Sequence, residues 1–294
     1  MDTFLGALVQ GILLGGVYSL LAMGVLVIYK SSKVFNIGYG EIMMFLAYFI
    51  WWLLVPRDLP LWIALVLALL VSILMGLSIH RFLLRPMIGQ PMMVTFMLCL
   101  LLGIAVNGVT ILWLGGFTRI MPDFLPSGNL AVGGISVSYT LLISFIIAIA
   151  MFVIFVLYFR YSRIGLGMRC VSEDNYISQS LGINVKRIFA LSWAIGCLSA
   201  AISGILLGSL FVVDTRIGMF AIIRALPVLL LGGLESIPGA LIGAIFVGVT
   251  EVLASTYVDP HVTGFRDLLP FILMVLILII RPHGLFGLRT IERI

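Results

Sequence analysis

The chain has 294 residues, of which 62% are hydrophobic and 10% charged, with 17 Lys and Arg against 12 Asp and Glu. A soluble domain carries charge on roughly a quarter of its residues, so this composition excludes an ordinary soluble protein and makes lipid the solvent for most of the surface. At roughly 20 apolar residues per crossing, the length accommodates about eight to ten membrane segments and leaves no room for a separate aqueous domain. Residues 1–294 are therefore expected to form a single transmembrane domain, with any ATPase, binding or catalytic domain on another chain.

The formal net charge of +5 does not call for nucleic acid, because membrane proteins gain a basic excess by keeping Lys and Arg on cytoplasmic loops. The start, Met1-Asp2-Thr3-Phe4, lacks the basic stretch of a signal peptide, so the first apolar run is expected to be retained as a helix. Cys99, Cys170 and Cys197 have no paired spacing, and His80, His261 and His283 are scattered. No metal site, disulfide framework or cofactor is indicated.

Charge-free gaps at residues 3–29, 59–79, 86–118, 124–159 and 188–213 are each long enough to cross the hydrocarbon. Elsewhere Glu41, Arg224, Glu235, Glu251 and Asp267 cut the apolar text into runs of 10 to 15 residues, the mark of half-spans or of spans with an internal charge. In chain order, helices are predicted over residues 5–28, 37–55, 61–79, 92–114, 138–159, 188–213, 219–233, 238–257 and 267–280, with 219–233 open to reading as a re-entrant half-helix. An all-α polytopic bundle with broken or re-entrant helices follows. With the amino terminus outside, the inside holds Lys30, Lys33, Arg81, Arg85, Arg160, Arg163, Arg169, Lys186, Arg187, Arg281, Arg289 and Arg293. Arg57, Arg119, Arg216, Arg224 and Arg266 fall outside or in the membrane. This bias places the carboxyl terminus in the cytoplasm.

Two stretches share a grammar of helix breaks: Asn36-Ile37-Gly38-Tyr39-Gly40-Glu41 and Gly232-Gly233-Leu234-Glu235-Ser236-Ile237-Pro238-Gly239. Glycine permits positive φ and proline removes a donor, and irregular backbone at membrane depth is tolerated only where it is buried in protein or lines a cavity. GILLGG at residues 11–16 and GILLGS at 204–209 precede the two breaks, as an internal repeat would place them. Free backbone amides at such breaks suit a substrate carboxylate. Asn36, Tyr39, Gly40, Glu41, Gly232, Gly233 and Ser236 are therefore the candidate pathway residues. Intramembrane carboxylates should face protein or cavity instead of lipid, and Arg224 is the expected partner of Glu251.

The connection 160–187 is far longer than a turn between adjacent helices needs. Ser172 reads as an N-cap, Glu173 and Asp174 as first-turn acids, Ile177 and Leu181 as an i,i+4 apolar pair, and Gly182 as a C-cap. A short helix over 173–181 is expected in or below the interface. It would suit a cytoplasmic partner, the acids meeting basic residues and Ile177 and Leu181 filling an apolar groove.

The segment 165–185, GLGMRCVSEDNYISQSLGINV, resembles the cytoplasmic loop of the branched-chain amino acid type of ABC-transporter permease. So do Asn36-Ile37 with Gly40-Glu41-Ile42-Met43-Met44, the run Leu231 to Ala240, and Phe265-Arg266 with the tail Arg281 to Gly287. Cys170-Val171 and Gln179-Ser180 stand where that family usually has alanines, and residues 29–33 are more polar than its usual approach to the second span. The resemblance implies a permease subunit of the bacterial or archaeal cytoplasmic membrane. It would pair with a second, related or identical permease and two cytoplasmic ATPases, and receive solute from a periplasmic or lipid-anchored binding protein. Branched-chain amino acids are the family default, with urea, short amides and other amino acids as alternatives. The chain contains no GxxxxGK[ST], so energy would arrive mechanically through the 172–182 helix. The chief rival is an ion-coupled secondary transporter of a small polar solute, which would work alone and need no such loop. An enzyme would require a catalytic constellation, and no HExxH or GxSxG occurs.

Overall fold

A backbone in hydrocarbon finds no water for its N–H and C=O groups, so apolar runs of this length resolve into helices. The computed structural model describes residues 2–87, 90–132, 135–281 and 284–287. Of the residues named above, Met1, His283, Arg289 and Arg293 lie outside the described residues, as does Pro282 in the tail. The helices are α1 (Asp2–Ser32), α2 (Tyr39–Leu54), α3 (Leu61–Ile79), α4 (Met92–Leu114), α5 (Tyr139–Tyr161), α6 (Arg163–Glu173), α7 (Asn175–Ser180), α8 (Val185–Leu210), α9 (Ile217–Gly232), α10 (Ile237–Tyr257) and α11 (Phe265–Ile280). Each of the nine predicted spans is a helix, and among the described residues six helices are long and apolar enough to cross a membrane.

The boundaries differ where capping chemistry decides them. α8 begins before the predicted Ile188 because the Asn184 side chain accepts the Arg187 N–H at 3.1 Å. It stops at Leu210 because the chain then turns extended, and Arg119 and Val213 exchange backbone hydrogen bonds of 2.7 and 2.9 Å. Beyond Ile79, α3 loosens into a π-helical turn, His80–Leu84, and a 3-10 turn, Arg85–Met87. A short antiparallel hairpin, β1 (Asn129–Val132) with β2 (Ile135–Ser138), lies within the 124–159 gap and was not expected. Glu251 and Arg224 do not break their helices; α10 and α9 run through them, as spans with an internal charge.

The chain divides into two compact units, Met1–Ala22 with Leu125–Ala150 and Ile223–Ile294, and Met23–Phe124 with Met151–Ile222. α1, α5 and α9 contribute residues to both. Within each unit, small residues bring helices into backbone contact, the usual basis of association where lipid removes the hydrophobic drive. In the first, a Cβ at Gly15 of α1 would stand 2.6 Å from the Cα of Ile245 on α10. In the second, one at Gly204 of α8 would stand 2.8 Å from the Met43 carbonyl oxygen on α2. The two GILLG motifs thus both serve helix packing. Burial separates inner from outer spans: 89% of the α1 core window is buried against 22% for α4 and α5, which display Leu101, Ile104, Leu112 and Ile154 outward.

Candidate functional site

The second unit contains the first break. α1 ends at Ser32, Lys33 takes a positive φ of 56°, and α2 starts at Tyr39. Asn36 in this bend is fully buried, and neither its Nδ2 nor its Oδ1 has a hydrogen-bond partner. A buried amide without partners costs about 1–3 kcal/mol, so the fold holds Asn36 at a net loss unless a ligand or water completes it. Tyr39 is also fully buried and donates to the Gly196 carbonyl at 3.2 Å. Gly40 packs on the Gly218 backbone at the start of α9, and Gly38 on Gly103 of α4. These glycine crossings carry Glu41 into the unit. Its Oε2 accepts from Asn107 Nδ2 at 2.8 Å, and a Cβ on Gly218 would lie only 2.9 Å from that same oxygen. The carboxylate therefore sits against the first turn of α9, where the helix dipole favours negative charge. Among the described residues no Lys, Arg or His forms an ion pair with it. Gly40 and Glu41 are thus brought together with Asn107 and Gly218, whereas Tyr39 faces Gly24 and Gly196, and among the described residues no hydrogen bond ties Asn36 to Glu41.

The second break lies in the first unit and is closed by its own backbone. Gly233 adopts φ 95°, Ser236 N–H donates to the Gly233 carbonyl at 3.0 Å, and Ser236 Oγ accepts the Gly239 N–H at 3.1 Å as the N-cap of α10. Gly232 and Gly239 are in backbone contact, and Leu285 N–H reaches the Leu231 carbonyl at 2.8 Å. Glu235 lies in the turn itself.

Unit one also holds the ion cluster. Arg224 Nη2 meets Glu251 Oε1 at 2.8 Å, its Nε meets both Glu251 oxygens at 3.0 and 3.1 Å, and Nη2 meets Asp267 Oδ1 at 2.7 Å. Tyr18 donates to Glu251 Oε2 at 3.0 Å. Arg224 and Glu251 are each 6% exposed, whereas the Asp267 side chain is 53% exposed. The expected pairing of Arg224 with Glu251 is present. Tyr18 and Asp267 are additions that the sequence signalled only as an isolated hydroxyl in an apolar run and as a charge interrupting the last span.

The connection after α5 departs from the single helix expected over 173–181. α6 begins with Ser162 as its N-cap, accepting the Gly165 N–H at 2.8 Å, and runs through Ser172 to Glu173. Ser172 is therefore no cap; its hydroxyl donates to the Arg169 carbonyl at 2.7 Å inside the helix. Asp174 turns extended and takes over, its Oδ1 accepting the Ile177 N–H at 2.9 Å to start α7. Asp caps as well as Ser, and the earlier cap at Ser162 lets α6 consume the residues that seemed to begin the helix. Arg169 donates to the terminal carbonyls of α5 at Phe159 and Arg160. Gly182 has the left-handed conformation expected of a helix stop, at φ 82°. Ile177 and Leu181 are 61% and 72% exposed, and Glu173 and Asp174 are exposed.

Asn107, Gly103 and Gly218 escaped the sequence reading. Asn107 is the sole amide side chain in α4, and that singularity in an apolar span was the available signal.

Residues 7–278 match the family model described as the permease component of branched-chain amino acid transport systems. The chain is 29% identical to the high-affinity branched-chain amino acid transport system permease protein LivH of Escherichia coli, over 99% of this chain and 98% of the relative. It is also 29% identical to BraD of Pseudomonas aeruginosa, with the same coverage, and 25% identical to a probable LivH of Methanocaldococcus jannaschii over 91% of this chain and 88% of that protein.

Proposed function

The chain belongs to the family of branched-chain amino acid transport permeases, and within that family we propose that it is the membrane-spanning subunit of an ABC importer for branched-chain or related amino acids. It is a multi-pass membrane protein whose partners in this reading are a second permease, two cytoplasmic ATPases and a solute-binding protein. The relatives named for such transport, aligned over nearly the whole length, support the substrate class.

The observation that carries the energetic half of the proposal is the pair Ile177 on α7 and Leu181 just past its end, large apolar side chains held outward beside Glu173 and Asp174. An idle surface helix has no use for them, and a helix-in-groove contact does. The ATPase would push on α6 and α7 through this face, with the amino terminus of the chain outside. Asp174→Lys removes the α7 cap at a cost of about 0.5–2 kcal/mol but touches no membrane span, and it should abolish coupling between ATP hydrolysis and uptake while the assembled transporter still folds.

For the solute, Glu41 is placed to accept the ammonium group, and the buried, partnerless amide of Asn36 offers both a donor and an acceptor nearby in the chain. Gly232, Gly233 and Ser236, whose break is closed by its own turn and cap, shape the junction of α9 and α10 and offer the solute no free amide in this reading. One observation favours a second reading: Glu41 has no cationic partner among the described residues, as a proton- or sodium-coupled transporter would require. Reconstitution separates them. Liposomes containing this permease, its partner permease and both ATPases should take up leucine only with internal ATP and the binding protein. Uptake by this chain alone, driven by an ion gradient, would replace the importer reading with the secondary-transporter one.

A further inference from the structure

A pocket of about 250 Å³ lies in the second unit where α1 and α3 end and α4 and α8 begin. Its walls are of two kinds: Leu84, Phe189 and Trp193 belong to an apolar side, while Lys33, His80 and Gln90 belong to a polar one. Among the described residues no carboxylate lines it. His80 is 5% exposed, and its Nε2 is buried without a hydrogen-bond partner. It is presented by the π-helical turn His80–Leu84 that follows α3, and such turns are frequent at functional sites. A buried imidazole nitrogen without a partner costs free energy, and His80 lines the cavity together with Lys33. Arg81 and Arg85 follow on the same segment.

We propose that this pocket is an oxyanion site that takes the phosphate of an anionic phospholipid headgroup, His80 Nε2 and Lys33 binding the phosphate oxygens and the apolar wall taking the start of an acyl chain. Cationic pockets between spans at the basic face of a membrane protein are suited to such headgroups, and all four helix ends here lie on one face. Free phosphate shares the chemistry and is distinguished below. The pocket also abuts the start of α8 at Phe189 and Trp193, and α8 contacts α6 and α7 within the same unit. A headgroup there would brace the root of the helices proposed to meet the ATPase, so on that reading lipid composition tunes coupling. The site itself does not depend on that reading.

The test uses the assembled transporter in nanodiscs containing equal phosphatidylglycerol and phosphatidylcholine, with bound lipid counted by native mass spectrometry. The wild type should retain phosphatidylglycerol over phosphatidylcholine by about fivefold per cation engaged. Lys33→Met and His80→Leu should each bring the ratio toward one, while His80→Gln, which keeps a donor, should retain part of the preference. Size-exclusion profiles identify variants that misfold, and Lys33→Met, at a half-buried bend, keeps the test open if His80→Leu does not fold. Inorganic phosphate that raises thermal stability of the delipidated wild type, but not of Lys33→Met, would assign the site to free phosphate if phosphatidylglycerol shows no preference. No lipid preference and no phosphate effect in the wild type, or a preference unchanged in both variants, would overturn the site.

Discussion

Glu41 and Glu251 are both carboxylates carried on apolar helices, yet their surroundings are opposite. Glu251 is gripped by Arg224 through both oxygens, capped by Tyr18, and linked through Arg224 to Asp267. Glu41 has one amide, Asn107, and the first turn of α9. A buried charge with every lone pair satisfied is a component of the fold, because removing any partner exposes the rest to an apolar medium. A half-satisfied one retains capacity for a ligand. The contrast also separates the two helix breaks: the one before Ile237 is saturated by its own turn and cap, whereas the one before Tyr39 leaves Asn36 unpartnered.

Arg224→Met offers the sharpest way to break the comparison. It strands Glu251 in the first unit and should lower stability by about 3–5 kcal/mol, read by reversible unfolding in mixed micelles; a loss below about 1 kcal/mol would mean the cluster is not structural. Gly40→Val comes next. The added methyls meet the Gly218 backbone, an overpacking expected to cost about 1–3 kcal/mol and to displace Glu41 from α9, with uptake falling alongside. Tyr18→Phe should cost about 1 kcal/mol, since Glu251 keeps its bonds to Arg224. Asp267→Asn should be the mildest, at most about 1 kcal/mol, because half of that side chain is in contact with solvent and screening weakens it. If Asp267→Asn proved as damaging as Arg224→Met, the cluster would be a three-way network instead of a buried pair with a peripheral acid.

The spans were readable because a long apolar run in lipid has little choice but helix. The helix α4, placed at its observed bounds of Met92 and Leu114, shows how far that argument reaches. What could not be read was the outcome of competition between local signals. Ser172 and Asp174 are comparable caps two residues apart, and only the upstream cap at Ser162 decides that Asp174 prevails. The Arg224 and Glu251 pairing was legible because two opposite charges in hydrocarbon must find each other. Asn107 was not, since an amide in a span has many admissible partners and its choice of Glu41 depends on the glycine crossings at Gly38 and Gly40 that bring α2 against α4 and α9.

The most direct test places Glu41→Gln and Glu251→Gln side by side in the assembled transporter, measuring ATP-driven uptake per folded molecule together with thermal stability. Glu41→Gln should unfold like the wild type while uptake falls about tenfold or more, the loss of one hydrogen bond to a charged group. Glu251→Gln should lose stability, with the remaining folded molecules transporting normally. Normal uptake through Glu41→Gln, or parallel losses of stability and uptake in both, would contradict the division between a working carboxylate and a structural one.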